Sequence, residues 1–174
     1  MTRGSDRATI TRLGENYQLR FERRLAHPRP RVWQAVASET GLGEWFPAAP
    51  AWDFRVGGRI DFHFPPEVAG TGMANPPGTI TAIDEPHTFA FLWGTELLRF
   101  ELLEIDVNRH PGTLLVFNHT LNSAEKPDAA KFAAGWQVCF EVLDHIISGA
   151  RPPRPERWQI AYALYTDDFA VPAL

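Results

Sequence analysis

The sequence predicts an α+β fold in which a curved antiparallel sheet wraps around one long C-terminal helix. From residue 51 to residue 121, short segments of alternating apolar and polar residues are separated by tight turns, which is typical of an antiparallel meander. The span 127–149 then carries apolar residues at three- and four-residue spacing along one wide face, which indicates an amphipathic helix. Such a helix, coming after a curved meander, is most simply placed across the concave face of the sheet.

The N-terminal segment is predicted to supply a tail and the first strand. Residues 1–8 are polar, and we expect them to be a disordered tail. A β-branched run at residues 9–11 leads to turn-forming residues at 14–16. Residues 17–25 then alternate strictly between apolar and polar, which indicates a strand with one buried face.

Two short helices are predicted before the meander. Pro30 is well placed at the start of the first helix, over residues 30–38. The apolar residues within 42–46 suggest a second turn of helix before Pro47. Neither helix is long enough to form a core by itself, so both are expected to pack on the sheet.

The meander is predicted as a series of short strands with one long loop. Gly57 and Gly58 suit a tight hairpin turn, and residues 67–77, rich in glycine and proline, are typical of a mobile loop. The strands are expected over residues 52–56, 59–64, 78–84, 87–93, 96–105 and 112–121.

Residues 151–174 are predicted to be an extension beyond a main domain of residues 9–150. A shorter helix is expected there, with one aromatic stripe made of Trp158, Tyr162, Tyr165 and Phe169. We expect this stripe to pack on its own domain, over the mouth of a cavity. A homodimer contact is the alternative.

Length, composition and charge exclude several classes of function. The 174 residues, 44% of them hydrophobic, suit one domain with a sizeable core. A formal net charge of -4 argues against a nucleic-acid partner. No run approaches the ~18 apolar residues of a membrane span, and the N-terminus lacks the apolar segment of a secretory signal. Because Cys139 is the single cysteine, no disulfide framework exists, and we expect a cytoplasmic location.

The sequence shows no motif for a metal, a cofactor or a nucleophile. The 6 histidines are scattered without metal-ligand spacing, so no metal site is expected. Gly57-Gly58 lies between strands rather than before a helix, so no phosphate cradle and no cofactor are expected. Cys139 lies on the apolar face of the long helix, where a structural thiol is the default. We therefore assign no catalytic residue outright.

Aromatic residues are the most informative part of the composition, with 12 Phe, 6 Trp and 3 Tyr. Strand alternation places many of them on the concave face, where the long helix meets them. A solid core and a ligand cavity are both compatible with this pattern, because aromatic residues dominate cores and also line most pockets. The expected cavity lining is Trp45, Phe54, Phe62, Phe91, Trp93, Phe100, Phe117, His119, Trp136 and Phe140.

His119 is the polar residue with the strongest functional signal. It shares strand parity with Phe117 and should therefore face the interior. An imidazole in an apolar cavity has its charged form disfavoured and can exchange one hydrogen bond with a ligand. A core histidine bonded to a backbone carbonyl is the alternative. Arg99 and Glu101 share the opposite face of their strand and are predicted to be a solvated pair rather than an acid–base couple.

A series of motifs covering residues 17–149 resembles the SRPBCC (START-like) superfamily, which has the helix-grip fold. More narrowly, the chain resembles the branch related to the C-terminal domain of the activator of heat-shock-protein-90 ATPase. The motifs, in the family's order, are RFERRLAHPRPRVWQAVAS, GLGEWFP, DFRVGGRIDF, GTITAIDEPHTFAFLWG, FELLEIDVNRHPGTLLVFNHTL and AAGWQVCFEVLDHIISG. The resemblance implies a cavity between the sheet and the long helix, in which members typically bind apolar or aromatic small molecules.

Three functions follow from the resemblance. The first is non-enzymatic binding of a small hydrophobic or aromatic ligand, of lipid or polyketide type, in the central cavity. The second is a cyclase- or dehydratase-type enzyme that uses His119 as general acid–base. The third is a chaperone-linked interaction module. The eukaryotic activator also uses an additional N-terminal domain, for which this chain has no room, so chaperone binding is the least expected of the three.

Overall fold

The computed structural model describes residues 6–66, 75–122, 129–150 and 157–170, which form one antiparallel sheet and four helices. The 8-stranded sheet has the order β1-β2-β8-β7-β6-β5-β4-β3. Its strands are β1 (Thr9–Leu13), β2 (Asn16–Leu25), β3 (Ala49–Trp52), β4 (Arg59–His63), β5 (Gly78–Asp84), β6 (Thr88–Trp93), β7 (Glu96–Val107) and β8 (His110–Leu121). The helices are α1 (Arg29–Val36), α2 (Glu39–Trp45), α3 (Ala129–Ser148) and α4 (Arg157–Ala170).

One row of phenylalanines shows how the register builds the concave face. Phe21 is opposite Phe117, Phe117 is opposite Phe100, and Phe100 is opposite Phe89, so the row crosses four neighbouring strands. All four side chains are buried. Phe140 of α3 lies 5.2 Å from Phe117, ring centroid to ring centroid, so α3 crosses the same face. The predicted α+β helix-grip fold is therefore confirmed.

The two short helices close one end of the concave face. Ser38 begins α2: its hydroxyl accepts from the Gly41 N–H at 3.0 Å and donates to the Gln34 carbonyl of α1 at 2.6 Å. At the end of α2, the Trp45 indole N–H donates to the Ala35 carbonyl at 2.9 Å. The Trp45 ring then stacks 5.8 Å from Phe140. These bonds fix α2 to α1 and direct Trp45 towards α3.

The strand predicted over residues 52–56 is misplaced. The observed strand β3 ends at Trp52, and the following residues turn back on themselves. Arg55 N–H donates to the Asp53 carbonyl at 2.7 Å, and Gly58 N–H donates to the Arg55 carbonyl at 2.8 Å. Gly57 has a φ of 81°, a conformation that glycine adopts without strain. The hairpin turn thus takes up the residues whose alternation resembled a strand.

Helix α4 packs on α3 and on the N-terminal segment through Tyr165. This side chain is buried; its hydroxyl donates to Gln137 Oε1 at 2.9 Å and accepts from the Ala8 N–H at 2.8 Å. Burial raises the pKa of Tyr165. A disordered tail was predicted over residues 1–8. Ala8 is buried, so it is not part of such a tail. Residues 1–5 lie outside the described residues, as does 67–74 of the predicted loop.

The aromatic stripe predicted on α4 divides between buried and exposed positions. Tyr165 faces the domain and contacts Phe169 at 5.3 Å, whereas Trp158 stacks on Tyr162 at 5.0 Å and stays 37% exposed. Whether the exposed part covers a cavity mouth or a second copy stays a prediction, as does the division into a domain of residues 9–150 and an extension.

Cys139 is expected to resist alkylation in the folded protein. It is partly buried on α3, and desolvation raises the pKa of its thiol to about 12. Since the thiolate is the reactive form, iodoacetamide at about pH 8 should label the folded chain roughly a thousandfold more slowly than the chain in urea. Intact-mass measurements of both time courses check this, and equal rates would contradict it.

Candidate functional site

The middle of the concave face is filled by aromatic rings in contact. The Phe117 ring lies 4.4 Å from Trp136 and 4.7 Å from Phe100, measured between centroids. Phe46, at the end of α2, stacks 5.6 Å from Trp136. In this part of the fold, the solid-core interpretation of the aromatic pattern therefore applies.

Nine of the ten predicted lining residues come together on this face. Phe54 does not: it lies in the turn after β3, is 39% exposed, and contacts Phe89 at 5.7 Å from outside the cluster. The sequence analysis did not include Phe46 in the cavity lining. The Phe46 ring contacts Phe62 of the sheet and Trp136 of α3 and so links the two. The residues brought together are Trp45, Phe62, Phe91, Trp93, Phe100, Phe117, His119, Trp136 and Phe140.

A chain of three side chains crosses one end of the concave face from α3 to β7. The Trp136 indole N–H donates to His119 Nδ1 at 3.1 Å. On the other side of the imidazole, His119 Nε2 lies 2.8 Å from Glu96 Oε2. His119 is 1% exposed, so these two side chains complete its hydrogen bonding inside the protein.

The donors and acceptors of this chain fix the state of His119. An indole N–H can only donate, so Nδ1 must accept and carries no proton. The single ring proton therefore lies on Nε2, which donates to the Glu96 carboxylate. His119 is a neutral, fully bonded core histidine. Its partners, however, are two side chains rather than the backbone carbonyl considered in the sequence interpretation.

Glu96 is the functional candidate that the sequence analysis missed. Its strand partner Trp93 and its neighbours along β7, Leu98 and Phe100, all belong to the inward-facing register. The parity of Glu96 with Phe100 was the available signal, since period-two alternation puts both on one face. The Glu96 side chain is 16% exposed, against 1% for His119, so Glu96 is the group of this pair that reaches solvent.

Trp93 has a buried polar atom without a partner. Its ring packs among Phe62 at 5.1 Å, Phe64 at 6.0 Å and Phe46 at 6.0 Å. Its Nε1 is buried and donates to no acceptor in the part of the chain that the structure describes. The indole N–H groups of Trp45 and Trp136 are both bonded. Trp93 therefore differs from Trp45 and Trp136 in having an indole N–H without an acceptor among the described residues.

The hydrogen bonds and burial of His119 argue against its use as a general acid–base. A general acid–base must reach the substrate with a titratable atom. Both ring nitrogens of His119 already have partners, and the ring is closed to solvent. Arg99 and Glu101, on the opposite face, form the partly exposed ion pair that was predicted, at 3.1 Å. Of the bonded pair His119 and Glu96, Glu96 is the more exposed side chain.

Two clefts lie away from the concave face. One, of about 360 Å³, lies between α3 and α4 and is lined by Arg7, Gln137, Glu141, Arg157, Ile160, Ala161, Leu164 and Tyr165. The other, of about 400 Å³, lies beside the start of α1 and is lined by Pro28, Arg29, Glu104, Ile105, Asp106, Pro111 and Gly112. Both are partly open to solvent. Neither contains the unpaired indole or the histidine chain.

The described residues show neither a metal centre nor a membrane span. Among them, no three side chains of histidine, cysteine, aspartate or glutamate come together in a way that could hold a metal ion. None of the helices in the described ranges is long and apolar enough to cross a membrane.

Comparison with solved structures shows the same fold in several bacterial proteins. A conserved protein of unknown function, EF2215 from Enterococcus faecalis, aligns with a TM-score of 0.76 at 20% identity, over 94% of this chain and 90% of that one. CalU16 from Micromonospora echinospora aligns with a TM-score of 0.73 at 21% identity, over 97% and 100%. The protein encoded by BPP1335 from Bordetella parapertussis aligns at 0.64 and 22% identity, over 100% and 96%.

At these identities the structural matches establish the fold alone. No curated protein matches the sequence. The family model described as "Activator of Hsp90 ATPase homolog 1-like protein" matches residues 26–148, which include α1, α2, the sheet from β3 to β8, and α3. The predicted resemblance is thereby confirmed, and the chain belongs to the activator of Hsp90 ATPase homolog 1-like family within the SRPBCC superfamily.

Proposed function

We propose that this protein binds a small aromatic molecule at the end of the concave face where Trp93, Glu96 and His119 lie. The observation that carries the proposal is the buried indole N–H of Trp93, which has no acceptor among the described residues although aromatic rings surround it. A ligand that offers an acceptor to this N–H, and a flat ring to its neighbours, complements the site.

The energetic argument concerns the cost of leaving a donor unpaired. A buried donor without an acceptor costs about 1–3 kcal/mol, and native proteins keep few of them. The Trp93 ring could be replaced by phenylalanine in the same aromatic surroundings at no such cost. A bound acceptor would offset it, and a planar ring beside Phe62 and Phe64 would add apolar burial at about 25 cal/mol per Å².

The proposal takes a small molecule as the partner, rather than a nucleic acid or a chaperone. The net charge of -4 disfavours a polyanionic partner. The chaperone alternative rests on the family resemblance alone. We also infer that the protein acts in the cytoplasm, since its single cysteine has no partner for an internal disulfide.

Mass spectrometry of the protein purified from its natural source tests the proposal. Native spectra should show an extra mass that is lost on denaturation, because a buried aromatic ligand leaves when the core opens. The Trp93→Ala variant should lose this mass, whereas Trp158→Ala should keep it. Trp158 is the matched control because it is a tryptophan on α4, stacked on Tyr162 and remote from β6.

Two results together would count against the proposal. One is a bare protein mass under native conditions. The other is failure of naphthalene, a minimal aromatic probe, to bind the wild-type protein up to the limit of its solubility. If Leu164→Ala, a variant in the lining of the α3–α4 cleft, lost the extra mass and Trp93→Ala retained it, the ligand would belong to that cleft instead.

A further inference from the structure

We propose that one exposed face of α4 is an interface between two copies of this chain, which pack their α4 helices antiparallel about a two-fold axis. This face, named here the α4 seam, consists of Arg157, Ile160, Leu164 and Asp167. The α4 seam contains none of the residues of the proposed ligand site, so the dimer proposal does not depend on the proposed function.

The spacing of the α4 seam is that of a contact between two helices. Its residues follow one another at intervals of three, four and three, as the a and d positions of paired helices do. Ile160 is 64% exposed and Leu164 is 41% exposed, although both are large and apolar. The side of α4 that faces the domain is a different one and carries the buried Ala161 and Tyr165. The described residues therefore leave the apolar part of the α4 seam uncovered.

The α4 seam lies beside a cleft that can receive side chains of a second helix. Ile160 and Leu164 line the α3–α4 cleft of about 360 Å³, together with Gln137 and Glu141 of α3. Helices pack by inserting the side-chain ridges of one into the grooves of the other. Because a two-fold interface uses the same patch on both copies, each copy fills the cleft of the other.

The charges at the two ends of the α4 seam favour the antiparallel arrangement. Ile160 and Leu164 are equally far from position 162, and so are Arg157 and Asp167. A two-fold axis level with position 162 therefore places Ile160 against Leu164 of the second copy. The same axis places Arg157 against Asp167 of the second copy. A parallel arrangement would put like charges together, which is unfavourable.

Both charged groups have capacity for a partner on the second copy. Asp167 is exposed and forms no ion pair with the described residues, whereas the neighbouring Asp168 is paired with Arg7 at 3.1 Å. The Arg157 guanidinium contacts Glu141 through Nε at 2.7 Å and through Nη2 at 3.3 Å. Its Nη1 is left for a second carboxylate. The two-fold dimer therefore gains two ion pairs, one at each end of the α4 seam.

Sedimentation equilibrium of the full chain tests the proposal. The apparent mass should rise with protein concentration from 19.6 kDa towards twice that value, because a small interface gives a reversible dimer. Ile160→Lys should raise the dissociation constant at least about a hundredfold, since the axis brings two lysines into the apolar contact. Val56→Lys is the matched control: Val56 is 59% exposed in the turn before β4, and this variant should dimerise like the wild type.

Asp167→Arg tests the antiparallel register. It sets two arginines against each other at both ends of the interface, so the dissociation constant should rise about tenfold or more. In a parallel arrangement the same variant would exchange one like-charge pair for another and change little. Asp106→Arg makes the same charge change at the other cleft, beside α1, and should leave the dissociation constant within about twofold of the wild type.

The wild-type concentration series needs no substitution, and circular dichroism shows whether each variant is folded. A single species of 19.6 kDa at every concentration up to about 1 mM, where even a millimolar dissociation constant gives visible dimer, overturns the proposal. Dimers that persist in Ile160→Lys also overturn it, because the interface then lies elsewhere. An unchanged dissociation constant in Asp167→Arg contradicts the antiparallel register. Dimers lost in these two variants and kept in Val56→Lys and Asp106→Arg support the proposal.

Discussion

Replacing Phe117 with alanine is expected to lower the free energy of unfolding by about 4 kcal/mol, the usual range for a buried phenylalanine. The ring is fully buried at the centre of the sheet and touches Phe100, Trp136 and Phe140 within 4.4–5.2 Å. These neighbours come from β7 and α3, so they cannot collapse onto the space without moving the helix. The loss should therefore combine lost burial with a residual cavity.

Urea unfolding followed by circular dichroism measures this change. Leu103→Ala is the control, because Leu103 lies on the neighbouring strand β7 but is 51% exposed. It should cost less than about 1 kcal/mol, as exposed positions usually do. Equal losses in the two variants would show that Phe117 is not at the centre of the core.

Gly41→Ala is the second substitution with a large expected effect. A Cβ at Gly41 would collide with the Gln34 carbonyl oxygen and would lie 2.8 Å from the Ala35 Cα. Both atoms belong to the backbone of α1, so the collision can be relieved only by separating α1 from α2. We expect a loss of about 3 kcal/mol, at the upper end of what overpacking costs.

Gly43→Ala, two residues further along the same helix, is the matched control. The nearest atom to a Cβ at Gly43 is the Cδ of Pro50 at 3.6 Å, an ordinary contact. Alanine also favours the helix over glycine, so this variant should gain about 0.5 kcal/mol. If thermal unfolding places both variants on the same side of the wild type, the close packing of α1 on α2 is not as described.

Most of the fold could be predicted because it follows from local periodicity. The strict alternation of residues 17–25 and the wide apolar face of α3 each report one buried side, and the structure buries those sides against each other. The prediction of a strand over residues 52–56 was wrong because alternation alone does not distinguish a strand from a turn. There, the backbone bonds of Asp53 and Gly58 decide the outcome.

The candidate site was only partly within reach of the sequence. Parity placed His119 and Phe117 inside correctly. The partner of His119 could not be predicted, because it depends on how far along the sheet α3 lies, which sets whether Trp136 meets the imidazole. Glu96 could have been identified, since it shares parity with Phe100, but a glutamate beside a turn is usually solvated. The position of Glu96 next to the imidazole is shown only by its contact with His119.

The indole N–H signals in a ¹H–¹⁵N NMR spectrum test most directly whether an aromatic ligand bonds to Trp93. Trp93→Phe assigns the signal by removing it. On titration with 2-naphthol, the Trp93 signal should move downfield as the N–H gains an acceptor. The Trp45 signal, already bonded to Ala35, should stay in place. A Trp93 signal that does not move while 2-naphthol is bound would contradict the account.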